Sequence, residues 1–223
     1  MHLLTNKKII LYIFFFILFG SINNQSFLKT NFLKVDDLKI YGLEEQNYLS
    51  IEKKLKSLNF RNIFFIDKKD LKKILNSYDV IENYQIIKKY PSGLEIRIGK
   101  AEFLANTIID GEKLFFGSNG KFIKTNKTEK NLPTVFGKVS VKNFLDIKRK
   151  IDDSKIKYRD IENLYFFPIG RWDIKLQNGI LLKLPNKDVI SALDISNKIL
   201  SSDNFEKIKI IDLRISNQII INE

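Results

Sequence analysis

In residues 35–98, the spacing of apolar residues changes from strand-like to helix-like and back to strand-like. This order of spacings is compatible with few folds. Apolar residues over 32–41 predict a half-buried strand that ends at Gly42, a residue tolerant of positive φ. A helical period with one apolar and one charged face follows, and Ser50 is its predicted N-cap. The apolar positions of these two segments are Val35, Leu38, Ile40, Ile51, Leu55 and Leu58.

The same stretch continues with a second helix and two strands. The apolar patch Ile63, Phe64 and Phe65 is predicted to be buried, and Asp67 is the predicted N-cap of the helix that follows. The inward positions of that helix are Leu71, Ile74, Leu75 and Tyr78. Residues 80–89 and 94–98 predict an antiparallel pair of strands around a turn at 90–93. Two amphipathic helices on one sheet predict an α+β module with the order β-α-α-β-β.

The residue types that the chain lacks or scatters exclude several functions. Cysteine is absent and the only histidine is His2, so thiolate or Ser-His-Asp catalysis and Cys/His metal sites have no residues to use. The net charge is +12, but the lysines are interspersed with acids and no basic stripe carries aromatic residues. The acid pairs at 36–37 and 152–153 have no catalytic spacing and are interpreted as solvated loops or caps. We expect no catalytic residue, metal, cofactor, small-molecule substrate or nucleic-acid partner.

A continuously apolar run occupies residues 9–19, directly after Lys7 and Lys8. The run is shorter than the ~20 residues of a spanning helix, which is also the length of a signal-peptide core. Cleavage after residue 20 or 21 would place Leu18 or Phe19 at −3, where a small residue is required. The pattern favours an uncleaved anchor over 9–22, with residues 1–8 cytoplasmic, a linker at 23–31, and the remainder outside by the positive-inside rule.

The second half of the chain predicts a mostly antiparallel β domain with flanking helices. Residues 108–116 and 117–123 are predicted to form strands split by glycine turns, and a helix with Phe144, Ile147 and Ile151 inward is predicted to follow. Alternating residues on both sides of Asn178 and Gly179 predict a type I′ hairpin whose lone Trp172 belongs either to the core or to an exposed contact. Asn186 is the predicted N-cap of a helix with Val189, Leu193 and Leu200, and strands at 208–215 and 218–222 flank a turn at 216–217.

The first module resembles the POTRA fold, and the wording of several motifs resembles the FtsQ/DivIB family of bacterial cell division proteins. These motifs are Ile63-Phe64, Tyr-Pro-Ser-Gly-Leu-Glu-Ile-Arg-Ile at 90–98, Leu-Pro-x-x-x-Gly at 132–137, Trp-x-Ile-x-Leu-x-Asn-Gly at 172–179 and Ile-Asp-Leu-Arg at 211–214. The chain departs from the family at 100–105, where only the last alanine of Glu-Arg-x-Pro-x-Ala is kept. The resemblance implies a POTRA domain at 32–100 and an FtsQ-type β domain at 101–223.

The resemblance also implies a partner and a place. Family members of this type receive a segment of FtsB (DivIC in some lineages), which carries FtsL, on the last strands of the β domain. The matching positions here are Arg214, Ile215, Asn217 and Ile219. For Asp212 and Arg214, an intramolecular ion pair is an equal alternative to a partner contact. The implied function is a divisome scaffold in the bacterial inner membrane, single-pass, with its bulk periplasmic at the division site and lipid contacts through the anchor.

The sequence is also compatible with two other functional classes. A POTRA-bearing component of an outer-membrane export or assembly system would share the first module. A carboxylate-dependent enzyme acting on the cell wall would need an acid pair that the spacing does not single out.

Overall fold

The computed structural model describes seven separate parts of the chain. They are residues 7–22, 34–58, 60, 62–125, 131–202, 208–215 and 218–222. Apart from its first helix, the chain forms two sheets with their helices, and it divides into two compact units. The N-terminal unit contains residues 1–78 and 83–99, and the C-terminal unit contains 79–82 and 100–223.

Helix α1, Lys7–Ile22, contains the apolar run. Its side chains from Ile9 to Phe19 are each between 39% and 81% exposed. Of the helices within the described ranges, none has both the length and the apolarity needed to cross a membrane.

The remainder of the N-terminal unit follows the predicted order strand, helix, helix, strand, strand. Its elements are β1 (Asp37–Tyr41), α2 (Glu45–Ser57), a 3-10 turn (Ile63–Phe65), α3 (Lys68–Asn76), β2 (Ile81–Lys89) and β3 (Gly93–Lys100). The sheet has the order β1-β3-β2, with β1 parallel to β3. Gly42 ends β1 at φ +92°, and a Cβ there would collide with the carbonyl oxygen of Ile98. The core of the N-terminal unit consists of residues that are at most 1% exposed: Ile51, Leu55, Ile63, Leu71, Leu75, Leu94 and Ile96.

Three local predictions in this unit have different outcomes. Asp67 does cap α3, since its carboxylate accepts from the backbone N–H of Lys69 at 2.8 Å. Ser50 is not an N-cap, because α2 begins a turn and a half earlier and the Ser50 hydroxyl lies 2.8 Å from Tyr78 Oη. Phe64 and Phe65 are not buried: a 3-10 turn sends three successive side chains in three directions, and only Ile63 points into the core.

The C-terminal unit is built on one mixed sheet of nine strands in the order β12-β11-β10-β9-β8-β7-β4-β5-β6. The strands are β4 (Phe103–Ile109), β5 (Glu112–Gly117), β6 (Phe122–Ile123), β7 (Thr134–Phe136), β8 (Ile161–Phe166), β9 (Trp172–Leu176), β10 (Leu181–Lys183), β11 (Ile210–Asp212) and β12 (Ile220–Asn222). Five of its eight neighbouring pairs are antiparallel and three are parallel. The fold class is therefore α+β, as predicted.

Two helices belong to the C-terminal unit, and their apolar faces contribute to its core. Helix α4, Val141–Asp152, is capped by Ser140, and its Phe144 stacks on Phe116 of β5 at a ring distance of 4.2 Å. Helix α5, Val189–Leu200, follows Asp188, which has φ +55°. Asn186 is therefore not its N-cap, and its side-chain amide instead donates to the Ile169 carbonyl at 3.4 Å.

The type I′ turn predicted at Asn178-Gly179 occurs instead at another Asx-Gly pair. The type I′ geometry occurs at Asp110-Gly111, where both residues have positive φ and Ile109 pairs with Glu112. This turn separates β4 from β5 within residues 108–116, where strands split by glycine turns were predicted. At the other turn the loop has three residues, because Leu176 N–H bonds to Ile180 O at 2.9 Å and only Gly179 has positive φ.

The three-residue loop also explains the packing of β9 on β10. It brings Ile174 opposite Leu182, so the inward residues of both strands share one face. A two-residue loop would shift the register by one and turn one of the two apolar sets away from the core. Trp172 lies in this core, 6% exposed and against Phe166 at 4.8 Å, so its predicted core position is confirmed.

Candidate docking edge of the C-terminal sheet

The last strand of the chain lies at one edge of the nine-stranded sheet. β12 pairs antiparallel with β11, with Ile211 opposite Ile221 and Asp212 opposite Ile220. Within the described residues, no strand lies on the other side of β12. Backbone groups on that side are therefore available to a further strand. Ile219, Ile220 and Ile221 are 48%, 45% and 45% exposed along this edge.

A groove of about 700 Å³ lies beside this edge. The start of α5 forms one wall, and residues 213–215 with 218–219 form another. Its apolar lining includes Ala192, Ile195, Leu213, Ile215 and Ile219. Its charged lining comprises Arg171, Lys187, Asp188 and Arg214, so cationic groups outnumber acidic ones. The groove could accommodate apolar side chains and acidic groups from a segment paired with β12.

Arg214 forms an intramolecular ion pair with Asp212. Its Nη2 lies 2.6 Å from Asp212 Oδ2, and its Nε donates to Asp212 Oδ1 at 2.8 Å. The hydrogen bond from Arg214 holds the pKa of Asp212 below its ordinary value. The Arg214 side chain is still 42% exposed. Of the two alternatives for this pair, the intramolecular one is present, and it leaves part of the guanidinium accessible from the groove.

A second ion pair lies at β9, two strands further into the sheet than β11. Arg171 Nε is 3.3 Å from Asp173 Oδ1, and the guanidinium stacks over the Phe167 ring at 4.2 Å. Burial raises the pKa of Asp173, in the direction opposite to Asp212. Both atoms are buried and lack a well-formed hydrogen bond, so the pair is held by charge and packing.

The sheet register joins these two pairs into one row. Asp173 of β9 lies opposite Lys183 of β10, and Lys183 lies opposite Asp212 of β11. The row ends at Ile220 on the edge strand. We define Asp173, Lys183 and Asp212, with Arg171 and Arg214 beside them, as the charged row. The charged row was not predicted from the sequence, although Asp173 and Asp212 alternate with apolar residues of their strands.

The predicted site residues are brought together in part. Arg214, Ile215 and Ile219 line the same groove. Asn217 lies outside the described residues. Lys7 and Lys8 form the start of α1, far from these residues in the chain. Among the described residues, no group of three or more His, Cys, Asp and Glu side chains could hold a metal ion.

Comparison with known proteins identifies relatives of the chain. Residues 108–214 match the family described as Cell division protein FtsQ/DivIB, C-terminal. Two curated relatives, both named Cell division protein DivIB, come from Clostridium botulinum strains Loch Maree and Hall. Each is 28% identical over 201 residues, which cover 86% of this chain and 69% of the relative.

A solved structure of the major extracytoplasmic domain of DivIB from Geobacillus stearothermophilus also matches, with a TM-score of 0.34 and 10% identity over 43% of this chain and 87% of that one. That similarity is too partial to support a conclusion by itself. The assignment rests on the family match and on the relatives, whose alignments extend over most of the chain. Residues 108–214 therefore match the FtsQ/DivIB C-terminal family, and the chain is similar over most of its length to DivIB cell division proteins.

Proposed function

We propose that this protein is a membrane-anchored division scaffold that recruits a partner of the FtsB/DivIC type, and FtsL through it, by strand addition at β12. One observation carries the proposal: an edge strand with three half-exposed isoleucines borders an apolar groove. Natural sheets usually protect such edges, because exposed strands pair with other chains. An unprotected apolar edge is therefore a candidate for regulated pairing.

The energetics of the edge favour an extended partner. Strand pairing supplies backbone hydrogen bonds, and burying the exposed half of an isoleucine contributes roughly 1–2 kcal/mol. Ile219, Ile220 and Ile221 together can supply the apolar part of such an interface. The cations Lys187 and Arg214 at the groove favour a partner segment with acidic residues.

We also propose that α1 anchors the chain, with Lys7 and Lys8 on the cytoplasmic side and the two units outside. Eleven successive exposed apolar side chains support this proposal, since water-exposed apolar surface of that extent is rare. The 16 described residues of α1 rise about 24 Å, against about 30 Å for a bilayer core. Local thinning of the bilayer can absorb a mismatch of this size at a modest cost.

Capture of the extracytoplasmic segment of an FtsB/DivIC-type partner by the full chain tests the docking proposal. Ile219→Glu should weaken capture at least about tenfold, because it places a charge where an apolar contact is proposed. Ile108→Glu is the matched control: Ile108 is 68% exposed on β4, six strands from β12 in the sheet. Capture by Ile219→Glu equal to that by the unsubstituted chain would contradict the proposal.

Removal of residues 220–223 is the complementary variant. It deletes β12 but keeps β11, whose Ile211 is fully buried in the core. A truncation that also removed β11 would open the core and confuse loss of docking with unfolding. Circular dichroism and thermal unfolding of the shorter variant establish that the sheet persists while capture is lost.

A further inference from the structure

Three aromatic side chains of the N-terminal unit are exposed without a role in its core. Phe64 and Phe65 are 56% and 75% exposed, and Tyr90 is 60% exposed. Phe64 stacks on Tyr90 with ring centroids 4.9 Å apart. Lys88 Nζ donates to the Phe64 carbonyl at 3.2 Å and so ties the 3-10 turn to the end of β2. Phe65 adjoins Phe64 in the same 3-10 turn, and we define Phe64, Phe65 and Tyr90 as the aromatic patch.

The aromatic patch lies where the chain from α1 joins the unit. Val35 N–H donates to the Phe60 carbonyl at 3.2 Å, and Asp36 N–H donates to the Ser92 carbonyl at 3.1 Å. Phe60 precedes the 3-10 turn by a few residues, and Ser92 is two residues from Tyr90. The first described residues of the unit are thus hydrogen-bonded to backbone groups that lie close in sequence to both halves of the patch. Eleven residues, 23–33, separate this point from α1, a span of no more than about 40 Å.

We propose that the aromatic patch contacts the headgroup region of the bilayer in which α1 is anchored. Aromatic side chains are favoured at the membrane–water interface, where their rings are partly removed from water. The covalent link keeps the patch close to the bilayer, so a weak contact suffices to hold it there. Charge at this end is mixed, with Lys34 near Asp36 and Asp37, so the attraction comes from the rings. The contact fixes which side of the N-terminal unit faces the membrane, and it rests on the proposed anchor.

The absence of cysteine makes the test direct, since single cysteines can be labelled without background. Phe65→Cys carries an environment-sensitive fluorophore at the patch. Tyr41→Cys is the matched control: Tyr41 is an aromatic residue, 51% exposed, at the opposite end of β1, about 13 Å from Asp37. The full chain is reconstituted in vesicles of phosphatidylethanolamine and phosphatidylglycerol, and each label is exposed to a lipid-borne and to an aqueous quencher.

We expect the label at 65 to be quenched several-fold more by the lipid-borne quencher than the label at 41, and several-fold less by the aqueous one. If both labels respond like water-exposed sites while the chain floats with the vesicles, the patch does not touch lipid and the inference fails, although the anchor stands. If the label at 65 is shielded from both quenchers, protein covers the patch and the inference also fails. A chain that does not float with the vesicles refutes the anchor and the inference together.

Discussion

The two edges of the nine-stranded sheet are built in opposite ways. At one edge, β6 contributes Ile123, which is 2% exposed, and Phe122, whose ring lies 4.9 Å from that of Phe116. At the other edge, β12 contributes Ile220 and Ile221, each 45% exposed. Both strands are very short, so length does not distinguish them. The two strands differ in the burial of their side chains, which are buried or partly buried in β6 and half-exposed in β12.

This difference separates two uses of an edge. A strand whose side chains complete the core is needed for stability, and its apolar side chains are not available to another chain. A strand whose side chains remain outside contributes little to stability and keeps its apolar surface for a partner. The same residue type, isoleucine, occurs in both strands and allows a matched comparison.

The largest effect is expected from truncating the isoleucine of each edge. Ile123→Ala should lower the free energy of unfolding by about 2–4 kcal/mol, because it leaves a cavity beside its cross-strand partner Phe115 of β5. Ile220→Ala should lower it by less than about 1 kcal/mol, because half of the side chain already contacts water. Urea unfolding of both variants measures the difference. Equal losses at the two edges would invalidate the comparison.

A partner should protect one edge and not the other. With a saturating FtsB/DivIC-type segment, at about 100 times its Kd, amide exchange at 220–222 should slow by up to about 100-fold. Exchange at 122–123 should change little unless it occurs through unfolding of the whole unit. Hydrogen exchange with mass spectrometry resolves the two edges in one experiment. Protection at β6 without protection at β12 would move the docking surface to the other end of the sheet.

Parts of this fold could be predicted from sequence because they depend on local periodicity. The order of elements over residues 35–98, the Asp67 cap and the buried Trp172 all follow from neighbours within a few positions. The turn type at Asn178-Gly179 was predicted wrongly although the sequence held the answer. Inward residues at 176 and 180 require an odd number of loop residues, since residues paired across strands share a face.

Other features depend on contacts that no local pattern reports. Residues 103–107 of β4 were not predicted to be a strand, because the inward positions there are Ala105 and Thr107. The Thr107 hydroxyl donates to the Val135 carbonyl, 2.9 Å away on β7. The groove is formed by three segments, near residues 169–171, 185–195 and 213–219, and the charged row exists only through the register of β9, β10 and β11. The sequence indicated the edge residues through family resemblance, but the surfaces around them come from tertiary pairing.

The ion pairs near the two edges extend the comparison to pH. Asp212 has a side chain 11% exposed and a folded pKa lowered mainly by the hydrogen bond from Arg214. Its contribution to stability is therefore complete above the unfolded pKa, near 4, and is lost as the pH falls through the lower folded value. Asp212→Asn should destabilise the protein at neutral pH, and the difference from the unsubstituted chain should shrink with acidification. Unfolding curves recorded across this pH range measure it, and a difference that grew on acidification would contradict the assigned sign.

The smallest effect is expected at the pair near the β6 edge. Lys124 Nζ lies 2.6 Å from Glu112 Oε1, but their side chains are 64% and 56% exposed. Water and salt screen a pair of this kind, so Glu112→Gln should change the free energy of unfolding by no more than about 0.5 kcal/mol. Added salt should remove even that difference, whereas the effect of Asp212→Asn should persist because its carboxylate is largely shielded from solvent. Urea unfolding of both variants at low and high salt tests this contrast. A larger or salt-resistant effect at Glu112 would mean that the β6 edge, like the β12 edge, relies on a protected ion pair.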